Sequence, residues 1–420
     1  MNVFFDMVGC RLNQAEIEQM AAQFRAAGHT LLESAEGADL VVVNSCAVTA
    51  AAASDSRQKV RQARKAGAKE VIFTGCLATM LPPDLLLEGV TRNVPNDEKM
   101  DIPRLALDSP FIFDRELLAR QPLPGNRKRT RAFIKVQDGC DNHCTFCITR
   151  IARGSSVSIG KETILQEVQA AEAGGTHEVV LSGVNLCAWG RDLDSDERLH
   201  DLVSYLLKNS QIERLRFSSL EPWDINSELL NLWQDRRVCS HLHLPLQSGS
   251  AGVLKRMARR TTPDEYLRLV EQARQAIPDL GLTTDIIVGF PGETDEEFEE
   301  SLEFVRGIGF TGGHVFRFSP REGTPAEKIP GRVNGKISAQ RSRMMRAVLE
   351  KSARQFSSGY IGSEMPVLWE TAEKMGAGQW RLHGLTGNYL QLSMISPVEK
   401  HNVVELVKLE REMLGRSSIT

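Results

Sequence analysis

The sequence predicts an α/β protein in three parts: an N-terminal α/β domain on a parallel sheet, an open barrel of six β/α units, and a small C-terminal β-barrel. Three observations point there. Apolar strand-like runs alternate with helix-like runs near the start, which implies parallel strands with helices on their faces. A longer and more regular alternation fills the middle. Short strands punctuated by glycine close the chain. With 420 residues there is room for about three domains.

In the first part the strand-like runs are 2–8, 40–44 and 71–74, and the helix-like runs are 14–27 and 54–66. Residues 108–131 then carry Pro110, Pro122, Pro124 and Gly125, followed by Arg127-Lys128-Arg129-Thr130-Arg131. Proline, glycine and clustered charge mark a boundary. The basic run is a solvated connector or a phosphate contact. From Ala132 six strand signals follow, at 133–137, 178–182, 214–218, 241–246, 282–288 and 314–319, with helical patterns such as 161–173, 263–276 and 295–307 between them. Six units suit an open barrel better than a closed eightfold one. Residues 336–356 form a helix-like stretch with Lys336, Arg341, Arg343, Arg346, Lys351 and Arg354 against one acid, Glu350. It is either the solvated face of a packed helix or an RNA-facing patch. Strand signals at 365–370, 380–383, 389–394 and 403–409 end the chain, with Gly376, Gly378 and Gly387 in the turns. The expected domains are therefore 1–112, 126–356 and 359–420.

Composition narrows the function. With 41% hydrophobic residues and a net charge of −3, the chain is neither disordered nor a uniformly basic nucleic-acid coat. Any RNA contact must use local patches. No run of about 18 apolar residues exists, so no membrane span is expected. Met1 leads into an apolar run without a basic leader, which suggests a cytoplasmic location. Eight cysteines are too sparse for a disulfide scaffold at this length, and point instead to metal or chemistry.

Six of those cysteines carry the signal. Cys140, Cys144 and Cys147 are spaced C-x3-C-x2-C, just past the first of the six strands. In β/α folds that edge is where loops meet ligands. No fourth cysteine is near. Structural zinc wants four closed ligands, so His143 would have to serve beside Cys144. An iron–sulfur cluster on three thiolates leaves one iron open to a substrate or cofactor. Cys10, Cys46 and Cys76 each follow the carboxyl end of a strand signal in the first part. If those strands share a sheet, the three thiols leave the same edge and can meet at a second cluster. Otherwise they are three unrelated core cysteines. Cys187 and Cys239 stand alone and read as small apolar fillers.

The stretches Gly9-Cys10-Arg11-Leu12-Asn13-Gln14, Asn44-Ser45-Cys46-Ala47-Val48-Thr49 and Thr74-Gly75-Cys76, with the C-x3-C-x2-C loop, resemble the radical S-adenosylmethionine (SAM) methylthiotransferases. The resemblance covers nearly the whole chain, in the family's order of cluster domain, radical SAM barrel and small TRAM module. Longer stretches at 181–186, 218–224 (with Glu221-Pro222-Trp223-Asp224), 241–250 and 314–319 resemble the branch that acts on N6-threonylcarbamoyladenosine in tRNA. There are departures. Ile148-Thr149-Arg150 stands where the family has an isoleucine-proline-tyrosine turn, and Met7 where a small or polar residue is usual. The tail from Gly359 holds six Lys/Arg and seven Glu, so its charge does not argue for a grip on RNA.

The resemblance implies an enzyme that adds a methylthio group at C2 of that adenine, at position 37. Such a hydrogen is not acidic enough for a side-chain base, which is why a cofactor-borne radical is needed. It implies two 4Fe-4S clusters, one on Cys140, Cys144 and Cys147 that binds SAM, and one on Cys10, Cys46 and Cys76 that presents sulfur. The implied partners are a tRNA anticodon loop, a reducing electron donor and a sulfur source. SAM contacts are expected from Gly183 and Asn185 at its amino end, Gln247 and Ser248 at its ribose, and Gly289, Pro291 and Gly292 near its adenine. Arg153 steadies a carboxylate or pairs locally. Glu221 contacts SAM or the nucleoside, or forms a structural ion pair. Trp189 and Trp223 are candidates for stacking on a splayed base. The basic stretches at 127–131, 255–260 and 336–354 could meet phosphates. Sister activities on isopentenyladenosine in tRNA or on a ribosomal-protein aspartate are alternatives, as is a non-catalytic zinc-containing RNA-binding protein.

Overall fold

The computed structural model describes residues 1–82, 84–107, 130–376 and 378–415. The prolines at 110, 122 and 124, Gly125, the basic residues 127–129 and the expected boundaries at 112 and 126 lie outside the described residues.

The N-terminal part runs β1 (Asn2–Met7), α1 (Arg11–Ala26), β2 (Thr30–Leu31), β3 (Leu40–Ser45), α2 (Ala50–Lys65), β4 (Glu70–Gly75), α3 (Cys76–Met80), β5 (Arg92–Val94) and α4 (Ile102–Leu107). Its parallel sheet has the order β2-β1-β3-β4-β5. The strand centres, Val3–Phe5, Leu40–Val43 and Val71–Phe73, are apolar because both faces are covered. Val41 and Val43 pack with Ala53, Val60 and Ala63 of α2. Leu40 and Val42 pack with Ile17, Met20 and Phe24 of α1. That alternation is the two-residue period of a strand.

The middle part opens with β6 (Arg131–Lys135). A two-stranded ribbon follows, β7 (Gln137–Asp138) against β8 (Val157–Ser158), with α5 (Thr149–Arg153) between its strands. Then come α6 (Lys161–Ala173), β9 (Glu178–Ser182), α7 (Leu199–Asn209), β10 (Arg214–Phe217), α8 (Ser227–Leu230), β11 (His241–His243), α9 (Ala251–Arg256), α10 (Pro263–Ala276), β12 (Gly281–Val288), α11 (Asp295–Ile308), β13 (Gly312–Arg317) and α12 (Gly335–Ser358). All six expected strands are present and parallel, as β6-β9-β10 and β11-β12-β13. Single bridges, Leu215 to Val238 and Ser219 to His243, join the two sets. One continuous apolar core fills the space between strands and helices. The entries of α10 and α11 are fixed by capping boxes, Thr262 with Glu265 and Thr294 with Glu297. Residues 289–294 thus serve as a helix entry.

The C-terminal part is an antiparallel sheet of β14 (Glu364–Lys374), β15 (Trp380–Thr386), β16 (Gln391–Ser396) and β17 (Val403–Lys408), ordered β16-β15-β14-β17. It is seated on the barrel by two arginines. Arg214 donates to the carbonyls of Pro366 and Leu385, and Arg216 to those of Thr386 and Gly387. Glu178 holds both arginines at 2.8 and 2.7 Å. The approach is close enough that a Cβ on Gly281 would lie 2.0 Å from the Asn388 carbonyl oxygen. No helix among the described residues is long and apolar enough to cross a membrane.

Candidate active site

The three N-terminal thiols leave one sheet edge. β1, β3 and β4 are adjacent and parallel, with Met7 opposite Asn44 and Ser45 opposite Gly75. Cys46 and Cys76 follow the last pair directly, and Cys10 begins α1 beside them. A Cβ on Gly9 would lie 2.9 Å from Cys46 Sγ, so only a glycine lets the two loops meet. All three cysteines line one cavity of about 670 Å³. Burial pushes the Cys46 thiol up to about 12, and the neighbouring Cys10 and Cys76 add to the rise.

The second trio sits on the loop between β7 and α5. Gly139 takes a left-handed φ of 66° and packs so tightly on Ser155 that a Cβ would sit 1.8 Å from its carbonyl oxygen. Gln137 braces the loop by donating to the carbonyls of Asp138 and Gly139. The far end is tied across the barrel, where Thr145 N–H donates to the Met257 carbonyl. Burial raises Cys144 and pushes Cys140 up to about 11.

Each set fits an iron–sulfur group by donor chemistry. Three sulfurs are offered, and polar N–H groups already point at them. Val48 N–H donates to Cys46 Sγ, Asn142 N–H to Cys140 Sγ, and Thr149 N–H to Cys147 Sγ. Arg259 Nη1 reaches Cys144 Sγ at 3.7 Å. Hydrogen bonds to cluster sulfurs tune such centres, and a bound metal takes the proton from its thiol despite burial. Among the described residues, no three His, Cys, Asp or Glu side chains close on a point tightly enough to hold a single ion.

The expected cofactor contacts are placed unevenly. Gly183 lines the cavity with Ser182, Ser218 and Ser219 at the barrel strand ends. Asn185 is buried, and its Oδ1 has no hydrogen-bond partner among the described residues, as is true of Ser218 Oγ. These orphaned acceptors suit a polar cofactor. Glu221 is ion-paired to Arg259 at 2.8 Å, near Cys140 and Cys144. Gln247 holds a left-handed φ of 73°, and its backbone is bonded to β12 at Asp285 and Ile287. Ser248 is buried and accepts from Ser250 N–H. Gly289 donates its N–H to Glu293, and a Cβ there would meet Ser338 of α12.

Arg153 is consumed by the protein itself. Its guanidinium lies 3.0 Å from Glu16 and 2.9 Å from Asp138, and donates to Asn13 Oδ1. Lys99 and Lys135 complete the network around Glu16. Burial would raise the Glu16 carboxyl, but Lys99, Arg153 and Lys135 outweigh it and hold it well below the usual carboxylate range. This is a structural ion pair, with distant Glu16 as well as nearby Asp138, and it ties α1 to the middle part of the chain.

Several candidates for nucleic-acid contact prove structural. Trp189 is fully buried and donates to the Ile159 carbonyl. Arg131 is paired with Glu370, Arg256 with Glu297, and Arg341 with Glu293 and Asp295. Trp223 sits with the Arg259 guanidinium 4.4 Å from its ring centre. Sequence reasoning did not single out Arg11, Asp285, His314 and Tyr389 for a role, and all four line the same cavity as the N-terminal cysteines. Arg11 had one available signal, its place directly after Cys10. Tyr389 had none, because only the docking of the C-terminal sheet brings it there.

Comparison with known proteins sets these features in a class. Residues 134–305 match the radical SAM superfamily, and residues 2–93 match the uncharacterized protein family UPF0004. A methyltransferase of the radical SAM type, TsrM from Kitasatospora setae, shares the fold at a TM-score of 0.57 and 13% identity, over 78% of this chain and 77% of that one. The chain is thus a radical SAM enzyme, of a class that works with SAM and 4Fe-4S clusters.

Its nearer kinship is to methylthiotransferases. It is 35% identical to the threonylcarbamoyladenosine tRNA methylthiotransferase MtaB of Thermotoga maritima over 88% of this chain and 86% of the relative. It is 32% identical to MtaB of Bacillus subtilis, over 93% and 89%. It is also 32% identical to a tRNA-2-methylthio-N(6)-dimethylallyladenosine synthase of Caldicellulosiruptor saccharolyticus, over 86% and 80%. The chain belongs to the family of radical SAM tRNA methylthiotransferases.

Proposed function

We propose that this enzyme adds a methylthio group to C2 of N6-threonylcarbamoyladenosine at position 37 of tRNA. One observation carries the reading. A single cavity is lined both by Cys10, Cys46 and Cys76 of the N-terminal sheet and by Ser182, Gly183, Ser218 and Ser219 at the barrel strand ends. A base held there faces a sulfur-bearing site and the barrel mouth together. The choice of base follows the MtaB relatives and the stretches at 218–224 and 314–319.

Cys140, Cys144 and Cys147 would hold the cluster that binds SAM, and Cys10, Cys46 and Cys76 the second. Bound there, these groups supply one-electron chemistry and sulfur. The protein's own work is placement. Gln137 and Gly139 set the loop of the first trio. Asn185 offers an unfilled acceptor beside Gly183, suited to the SAM amino group. Arg259 holds Glu221 and supports Cys144. The Glu16–Arg153 network ties the element behind one thiol set to the element behind the other. The C-terminal sheet is read as a TRAM-like module closing the cavity, with domain limits at 1–112, 126–356 and 359–420. The open six-unit barrel leaves its mouth for an anticodon loop. A cytoplasmic setting, an electron donor and a sulfur source complete the scheme.

The test is nucleoside mass spectrometry of tRNA from cells with and without this protein. Loss of 2-methylthio-N6-threonylcarbamoyladenosine, with the unmethylthiolated nucleoside rising in its place, is expected. Loss of the isopentenyl product instead would overturn the substrate.

A further inference from the structure

We propose that the part of the cavity lined by Arg11, Asp285 and Tyr389 is a subsite for an anionic side chain on the substrate base, with Arg11 as the specificity-determining cation and Asp285 as acceptor for a donor on the same side chain. The inference rests on the substrate assigned above and says which residues read its threonyl tail.

Arg11 leaves the first turn of α1 and lines the cavity with His243, Thr283, Asp285, His314 and Tyr389. Its Nη2 donates to Tyr389 Oη at 2.7 Å. Among the described residues no carboxylate lies within ion-pair distance of it; the acid it acts on is Asp285, whose carboxyl burial would raise but His243, His314 and Arg11 together hold low. Arg153, on the same cavity, is by contrast saturated by Glu16 and Asp138. A guanidinium has five N–H donors in a fixed fork that matches a carboxylate. One is spent on the phenol, and the fork remains to be filled.

Across from it, Asp285 Oδ2 lies 3.3 Å from His243 Nε2. Its Oδ1 is buried without a hydrogen-bond partner among the described residues. Thr283 Oγ1, at 2.9 Å from His243 Nδ1, fixes the ring. The subsite therefore pairs an unfilled cation with an unfilled acceptor. A threonylcarbamoyl group carries a carboxylate for the first, and a hydroxyl and a ureido N–H for the second. An isopentenyl tail carries neither, and would leave the buried Asp285 Oδ1 unpaired and the half-buried Arg11 fork without a carboxylate.

The arrangement is built rather than incidental. Tyr389 adopts a left-handed φ of 72° and stacks on His241 at 4.2 Å with 13° between the rings. A non-glycine residue keeps that backbone only where its surroundings enforce it. The Arg216 guanidinium lies 5.1 Å from the centre of the Tyr389 ring. Three parts of the chain thus converge on one polar pocket.

The test uses anticodon stem-loops that differ only at the target adenosine: threonylcarbamoyl, its carboxamide analogue without the negative charge, and isopentenyl. Affinity for the iron-loaded protein is read by fluorescence anisotropy under anaerobic conditions. The wild-type protein should bind the carboxylate loop about 10- to 100-fold more tightly than the carboxamide loop. Arg11→Gln should erase that difference by weakening the carboxylate loop alone, and Arg11→Lys should restore part of it. Iron and sulfide content reports whether the Arg11 variants keep the adjacent cysteine loop intact. Tyr389→Phe keeps the stacked ring, removes the hydroxyl that seats Arg11, and should cut the preference about 2- to 10-fold. Equal wild-type affinity for the two loops, with the threonylcarbamoyl loop still modified, overturns this inference alone. Full preference retained in both Tyr389→Phe and iron-loaded Arg11→Gln overturns it too. Modification of the isopentenyl loop only overturns the substrate assignment and the subsite with it.

Discussion

Glu16 Oε1 lies 3.0 Å from Arg153 Nη1, and neither side chain is more than 2% exposed. The first belongs to the helix that follows Cys10, the second to the helix that follows Cys147. The ion pair therefore ties the helix behind one thiol trio to the helix behind the other, beside the packing of Ile148 and Ala152 with Cys76 and Leu77. Glu16→Gln leaves Lys99, Lys135 and Arg153 without their shared anion. Breaking a buried pair from one side costs about 3–5 kcal/mol, and denaturant unfolding should show a loss of that size.

The same pair makes stability depend on acid. Both Glu16 and Asp138 are held below their ordinary range: burial opposes this in each, but is outweighed by Lys99, Arg153 and Lys135 for Glu16, and by Arg153 and Lys135 for Asp138. Depressed carboxyls contribute stability that is full above the unfolded pKa of about 4 and is lost as pH falls through the folded value. Melting temperatures taken downward from neutral pH should drop in the wild type below about pH 5. Glu16→Gln should start lower and fall less steeply.

Cys46→Ala removes one thiol from the N-terminal trio only. Iron in anaerobically reconstituted protein should fall from about eight to about four per chain. Cleavage of SAM should persist while methylthio transfer disappears. Survival of both activities would refute the assignment of the trio.

Arg259→Met tests the support of the other trio. Arg259 places a positive charge 3.7 Å from Cys144 Sγ and neutralises Glu221. A cation near a cluster favours its reduced form, so removal should shift the potential of that cluster downward by tens of millivolts. Potentiometric titration followed by electron paramagnetic resonance checks the direction, and an unchanged or raised potential would contradict it.

Arg216→Met should loosen the C-terminal sheet. The arginine is fully buried and is held by Glu178 while it grips two backbone carbonyls. Limited proteolysis should release a fragment starting after α12 from the variant well before it does so from the wild type.

Much of this architecture was legible in the residues. Apolar strand centres announced a doubly covered sheet, and the six barrel strands fall within a few residues of their expected places. β2 and β5 were not seen, because two and three residues give no period to read. The cysteine placement was legible because each follows a strand end. Arg153 was left between two roles, since a sequence cannot say that Glu16, 137 residues away, is its partner. The basic stretches were left between two readings for the same reason: Arg131, Arg256 and Arg341 each meet a carboxylate from a distant or opposing segment. Long-range ion pairs have no local signature.

Tyr389 lines the chamber from a part of the chain made after every cysteine and after α12. A ribosome delivers every cysteine, the barrel and α12 before that phenol exists. During this interval Arg11 has the Phe133 ring beside it but not the hydroxyl that accepts its N–H. Competence is thereby coupled to translation running its course: a product halted after α12 would own all the sulfur ligands and still lack a finished room in which to use them.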